Sequence, residues 1–164
     1  MFANPLLHLI ALFYQKIIKI GSNFQSLFLL WVRLTWGHQF FLTGMEKLRH
    51  IEQTTQFFAS LDIPNPAFHA HLVGASEVIG GSLLVIGLAS RLVSIPLLIT
   101  LLVALGTAHI KILTGFHFLT DPAQLAASNP FPFLIMTLLM LCFGPGRISI
   151  DAWLKRWAER QPKY

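Results

Sequence analysis

The sequence predicts an all-α membrane protein: a four-transmembrane-helix bundle with one amphipathic helix at the N-terminus and a second in the first loop. Three observations carry this. Hydrophobic residues make up 54% of the 164, and mean hydropathy is +0.63. Charged residues are only 12%, where soluble domains hold roughly a quarter. Apolar stretches long enough to cross a bilayer alternate with short polar segments, and lipid would cover the outer faces of such a bundle.

From the N-terminus, Leu6, Leu9, Ile10, Phe13, Ile17 and Ile20 fall at helical spacing opposite His8, Gln15, Lys16 and Lys19, the pattern of an interfacial helix. Gly21 is expected to end it. Residues 23–44 are apolar except for Arg33, His38 and Gln39, and at about 33 Å of helix they suffice for the first span. Glu46 to Asp62 interleaves charges with Leu48, Ile51, Phe58 and Leu61, giving a second amphipathic helix on the surface. The two prolines before Phe68 break it.

Phe68 to Leu88 is the second span, interrupted only by His69, His71, Glu77 and small residues. Ala89-Ser90-Arg91 reads as a tight turn into a third span, Leu92 to Lys111, which makes the two helices antiparallel neighbours. The fourth apolar run, Phe131 to Phe143, is short and has Asn129, Pro130 and Pro132 at its start, so the helix either starts there or earlier, near Leu125. Gly144-Pro145-Gly146 stops it. The tail from Arg147 holds Asp151, Trp153, Trp157 and five basic residues, as a surface helix anchored at the interface would. The expected division is an interfacial helix over 1–21, a four-helix membrane domain over 22–151 and a basic cytoplasmic tail over 152–164, with no internal repeat or low-complexity linker.

Net charge is +5, from 12 Lys and Arg against 7 Asp and Glu, and its distribution reads as topology rather than nucleic-acid binding. Lys16, Lys19, Arg91, Arg147, Lys155, Arg156, Arg160 and Lys163 fall on one side, and Lys47, Arg49 and Lys111 on the other. That bias places both termini in the cytoplasm. Lys16 and Lys19 follow the first apolar run instead of preceding it, the reverse of a secretory signal, so no cleavage is expected. The single cysteine, Cys142, excludes an intramolecular disulfide, a CxxC pair and a multi-thiolate metal site within one chain. It reads as a small packing residue.

Two charges lie near the centres of apolar stretches, Arg33 in the first span and Glu77 in the second. A charge at the membrane midplane costs about 2.5–3.5 kcal/mol on insertion scales, and such residues face a bundle interior and pair with one another. The matched midpoints predict that Arg33 and Glu77 meet. Their helical faces carry Gly37 and Gly44 on one side and Gly81 on the other, which lets the helices approach closely. Two roles are open: an ion pair that fixes the register of the bundle, or a polar anchor or proton acceptor in an intramembrane cavity. Whether Glu77 is ionised is open too.

His38, His69, His71, His109 and His117 fall toward the outer side in this topology, His38 about 8 Å and His109 about 12 Å beyond the midplane by helical rise. Imidazoles there either hydrogen-bond to neighbours, or bind a metal (His38, His71 and His109), relay protons or meet a quinone carbonyl (His38 and His109). The spacing of His69 and His71 points them to different faces. Lys47 ends the first span, either as a snorkelling residue or as a ligand contact. Ser149 and Asp151 suit a cap-like turn after Gly146, with Arg147 placed to pair with Asp151.

The arginine of the first helix, Gly44-Met45-Glu46-Lys47 at its end and Glu77-Val78-Ile79-Gly80-Gly81 in the second resemble the DoxX family of small four-span membrane proteins. His109 and Gly144-Pro145-Gly146-Arg147-Ile148-Ser149-Ile150-Asp151 fit the same pattern, and the resemblance covers about residues 26–155. It implies a four-helix bundle in the bacterial inner (plasma) membrane, associated with redox chemistry. Related subunits belong to a thiosulfate:quinone oxidoreductase, and others sit in membrane complexes with oxidative-stress enzymes. The leading expectation is therefore a membrane subunit that binds a protein partner and a quinone or other small hydrophobic ligand, with Arg33, Glu77 and His109 lining the cavity. The alternatives are a quinone-linked oxidoreductase in its own right, and a small transporter or metal-handling protein that works as a homo-oligomer.

Overall fold

A computed structural model describes residues 5–108, 110 and 122–160, and all regular structure among them is helical. Helix α1 is a single 45-residue helix, Pro5–Arg49, about 68 Å long at the helical rise and more than twice the thickness of a bilayer's hydrocarbon core. The expected interfacial helix and first span are thus one element, and Gly21 does not end the first. A lone glycine costs a helix only about 1 kcal/mol relative to alanine, and no proline follows to break the chain. The hydroxyls of Ser22 and Ser26 fold back onto the carbonyls of Lys19 (3.0 Å) and Ser22 (3.5 Å). Every residue from Leu12 to Gly21 is exposed, whereas Leu29, Val32 and Phe40 are buried, so α1 projects past the bundle at its N-terminal end.

A one-residue break at His50 leads into α2, Ile51–Ser60, the expected first-loop helix. Asp62 and Asn65 both take positive φ, at 56° and 47°. Helix α3, Pro66–Ile86, then begins with Pro66 in its first turn, where the missing N–H costs nothing. Gly87 ends α3 at φ 72°. Its N–H and that of Leu88 donate to the Leu83 carbonyl at 2.9 and 3.0 Å, a left-handed cap that glycine accommodates without strain. The turn therefore occupies 87–89 rather than the expected 89–91, and α4 starts at Ser90, running Ser90–Thr107. Lys111, His109 and His117 lie outside the described residues.

The fourth apolar segment is divided. A short helix α5, Pro122–Ala127, precedes α6, Pro130–Phe143, so the apolar helix starts at Pro130 and the earlier helix near Leu125 is separate from it. Among the described residues two helices, α3 and α4, are long and apolar enough to cross a membrane, and only 33% and 28% of their apolar windows are buried. A soluble core helix would be mostly buried. Phe28, Trp31, Ile79, Leu92, Ile99 and Leu102 also face outward, an apolar outer surface of the kind that lipid would cover.

Helix α3 packs antiparallel against α1 and, through the tight turn, against α4; α4 packs against α6. Arg91 at the start of α4 donates to the Cys142 carbonyl at the end of α6 (3.1 Å), so this pair is antiparallel as well. Leu29, Val32, Phe40, Leu84, Leu97, Leu101, Met136 and Met140 form the core. Phe133 of α6 ties it to α1, meeting Trp36 and Phe40 edge-on at centroid distances of 5.1 and 4.8 Å. Finally α7, Ile150–Glu159, is capped by Ser149, whose hydroxyl accepts from Ala152 N at 3.1 Å.

Candidate functional site

Glycines set the register of α1 against α3. A Cβ at Gly44 would lie 2.7 Å from Val78 N and 2.8 Å from Glu77 Cβ, and one at Gly81 would lie 2.5 Å from Phe41 N and 2.6 Å from Gly37 O. No real Cβ tolerates such distances, so the two backbones touch along a seam of Gly37, Gly44, Gly74 and Gly81. Seven residues separate the glycines on each helix, which keeps them on one face.

This register decides which charges meet. Lys47 and Glu77 each follow a seam glycine, Gly44 and Gly74, by three residues. Lys47 Nζ donates to Glu77 Oε1 in a short charge-assisted contact. The carboxylate is buried at 5% exposure, while the lysine side chain keeps 33% of its surface open. Glu77 Oε2 is buried and accepts no hydrogen bond among the described residues. The Thr43 hydroxyl on the same turn as Gly44 instead donates to Gln39 O and Phe40 O, both at 3.0 Å. The result is a charged pair part-way along an apolar seam, with one carboxylate oxygen available as an acceptor.

Arg33 does not pair with Glu77. It lies one turn before Gly37, level with Gly87 at the far end of α3, and the ten residues from Glu77 to Gly87 span about 15 Å of helix. Matched midpoints suggested equal depth, but contact between glycine backbones fixes the depth instead. Arg33, 2% exposed, donates from Nη1 to Pro145 O at 3.0 Å and from Nη2 to Ile148 O at 2.8 Å. The irregular segment between α6 and α7 leaves these carbonyls without helical partners, and the guanidinium fork supplies donors to both.

Asp151 completes this clasp. Its carboxylate accepts from Ala89 N (2.7 Å) and Ser90 N (3.1 Å), capping α4 from another helix, and its own N–H donates to Gly87 O at 3.0 Å. The expected cap-like turn is present, with Ser149 serving α7 and Asp151 serving α4. Arg33 therefore ties the α6–α7 segment to α1 and does not pair with Glu77, and its Nε is buried without a hydrogen-bond partner among the described residues.

The outer histidines are only partly described. His38 is exposed, and Nδ1 of His69 and of His71 lies 3.3 and 2.8 Å from the carbonyls of Asn65 and Ala67, one turn back on their own helix. Among the described residues no group of three or more His, Cys, Asp or Glu could hold a metal ion. Lys47 as the partner of Glu77 is the contact that the span-centred reading missed. The matching offsets of Lys47 from Gly44 and Glu77 from Gly74 were the available signal.

The profile of the DoxX family matches residues 28–110. The chain is 33% identical over 132 residues to the protein named "Putative oxidoreductase CatD" of Bacillus subtilis, covering 73% of this chain and 92% of that protein. It is 30% identical over 132 residues to "Uncharacterized membrane protein Rv3486" of Mycobacterium tuberculosis, covering 77% of this chain and 81% of that one. No solved structure matches significantly. With a profile match over half its length and relatives that share most of their length with it, the chain is a membrane protein of the DoxX family.

Proposed function

We propose that this protein is a four-span subunit of a redox-associated complex in the bacterial inner membrane, with both termini cytoplasmic, and that Lys47 and Glu77 recognise a quinone or similar small hydrophobic ligand. The observation that carries the reading is Glu77 Oε2, a buried acceptor without a partner among the described residues, beside a cation that still reaches solvent. A buried polar atom left unpaired costs about 1–3 kcal/mol, a cost that a ligand's hydroxyl would remove. In this reading α1 and α6 supply the first and fourth spans around α3 and α4.

A quinone supplies two-electron chemistry with uptake of two protons. This chain's residues would orient the carbonyl or hydroxyl by Lys47 and Glu77 and exclude water with the glycine seam. The electrons belong to a protein partner, because Cys142 is the single thiol in the sequence and a dithiol couple needs a second chain. The name of the Bacillus relative, which calls that protein an oxidoreductase, favours a second reading, a quinone-linked oxidoreductase in its own right.

The test is binding of a short-chain quinone analogue to the purified chain, with folded yield measured separately. Glu77→Gln is expected to weaken binding about tenfold while yield is largely kept. Unchanged binding with lost yield would leave Glu77 a purely structural role. Quinone reduction by the chain alone, with a soluble reductant supplied, would establish the second reading.

A further inference from the structure

The N-terminal part of α1 outruns the bundle. Ser22 and Gln25 still line a cleft with Ala152 of α7, but every residue from Leu12 to Gly21 is exposed, and Pro5 to Gly21 continues the helix for about 25 Å. At about 100° per residue Ile10, Phe13, Tyr14, Ile17, Ile18 and Ile20 share an arc of about 160°. Gln15, Lys16 and Lys19 lie opposite, and of the described apolar residues in this stretch only Leu12 lies with them. No Asp or Glu precedes Glu46 in the sequence. At the base of the stretch, a Cβ on Gly21 would meet nothing within 4 Å, and the Ser22 hydroxyl donates to Lys19 O at 3.0 Å. Gly/Ser pairs and such back-bonding are recurrent points of helix bending. Beside it, α7 exposes Trp153 and Trp157, side chains that settle at the headgroup level of a bilayer.

We propose that α1, helical throughout, bends at Gly21 and Ser22 when the protein is in a membrane and lays the arm before them on an anionic bilayer surface, with the apolar arc among the acyl chains and Lys16 and Lys19 at the lipid phosphates. A straight α1 of about 68 Å is too long to stay in lipid. Continuing past the headgroup level it would hold Phe13 and Ile17 in water. Turned along the surface, the arm buries them beside the apolar outer surface of the bundle. A cationic side opposite a wide apolar arc is the pattern of helices that lie in the interfacial plane. Charge selects the lipid, since two lysines with no acid on the arm are drawn to an anionic leaflet and not to a neutral one. The bend disturbs no packing, because nothing lies against Gly21. The proposal needs only a chain embedded in a membrane, and neither the quinone reading nor the orientation of the chain enters it.

Electron paramagnetic resonance of the full chain in vesicles tests it, with one spin label placed by Phe13→Cys, Gln15→Cys or Ile17→Cys in a Cys142→Ser background. In vesicles of equal parts phosphatidylglycerol and phosphatidylcholine, the labels at positions 13 and 17 are expected to be relaxed by dissolved oxygen and shielded from a water-soluble nickel chelate, and the label at position 15 the reverse. Lys16→Gln combined with Lys19→Gln is expected to lower the ratio of bound to free arm about 25-fold, a factor of about five for each basic residue at an anionic surface. Vesicles of phosphatidylcholine alone are expected to do the same to the wild type. Both lysines are exposed, so the double variant folds. Three labels that respond alike overturn the proposal: reached by nickel they place the arm in water, and shielded from both probes they place it against protein. Equal binding of the arm in the two kinds of vesicle overturns the anionic surface as its partner.

Discussion

Lys47 reaches Glu77 because Gly44 and Gly74 bring the backbones of α1 and α3 into contact; the pairing follows from the glycine register and not from the charges seeking each other. Arg33, at the other end of the same seam, is bound to carbonyls. The two buried charges among the described residues therefore do different work: the Arg33 fork binds two carbonyls of the α6–α7 segment, and Glu77 leaves a carboxylate oxygen open.

A double-mutant cycle separates these roles. Lys47→Ala strands a buried carboxylate and is expected to cost about 3–5 kcal/mol of stability in detergent. Glu77→Ala leaves a lysine that can still reach water and is expected to cost about 1–2 kcal/mol. Their coupling should exceed about 1 kcal/mol, whereas Arg33→Ala with Glu77→Ala should be additive within about 0.5 kcal/mol. A strong Arg33–Glu77 coupling would restore the pairing expected from span midpoints.

The glycines divide into two groups by thermal unfolding. Gly44→Ala and Gly81→Ala force contacts of 2.5–2.8 Å against backbone and Glu77 Cβ and are expected to lose at least about 3 kcal/mol, at or beyond the upper end of ordinary overpacking costs. Gly21→Ala meets nothing within 4 Å and is expected to be neutral or to gain up to about 1 kcal/mol. Equal losses at Gly21 and Gly81 would remove the seam from the account.

Loss of the clasp should expose the segment after α6. Arg33→Leu leaves Pro145 O and Ile148 O without their donor, and trypsin cleavage after Arg147 is expected to accelerate at least about tenfold as that segment opens. Arg33→Lys should recover only part of the protection, because one ammonium does not reproduce the two-donor fork. Cleavage unchanged in both variants would contradict the clasp.

Orientation is open to reporter fusions. Alkaline phosphatase is expected to be inactive after Tyr164 and active after Asp62, at the end of α2. An active C-terminal fusion would reverse the topology.

The helices were legible where a single strong signal decided them. Prolines and a glycine bounded α3, and serine with aspartate announced the turn into α7. The division at Gly21 was misread because a lone glycine is a weak stop when nothing after it opposes helix. The site was half legible: Arg33 and Glu77 stood out as charges in apolar helices, and both are buried. Their partners did not stand out, because the acceptors of Arg33 are backbone carbonyls, which every residue carries. Lys47 looked like the end of a span until the depth of α1 was fixed by glycine contacts. His109 lies outside the described residues, so the histidine cluster stays an expectation from sequence.

The central claim is that Glu77 meets the ligand. An infrared difference spectrum of the detergent-solubilised protein on addition of a short-chain quinone analogue tests it most directly. The account predicts a carboxyl-region band that disappears in Glu77→Gln and persists in Arg33→Lys. A spectrum without a carboxyl band, or one whose band survives Glu77→Gln, would contradict it.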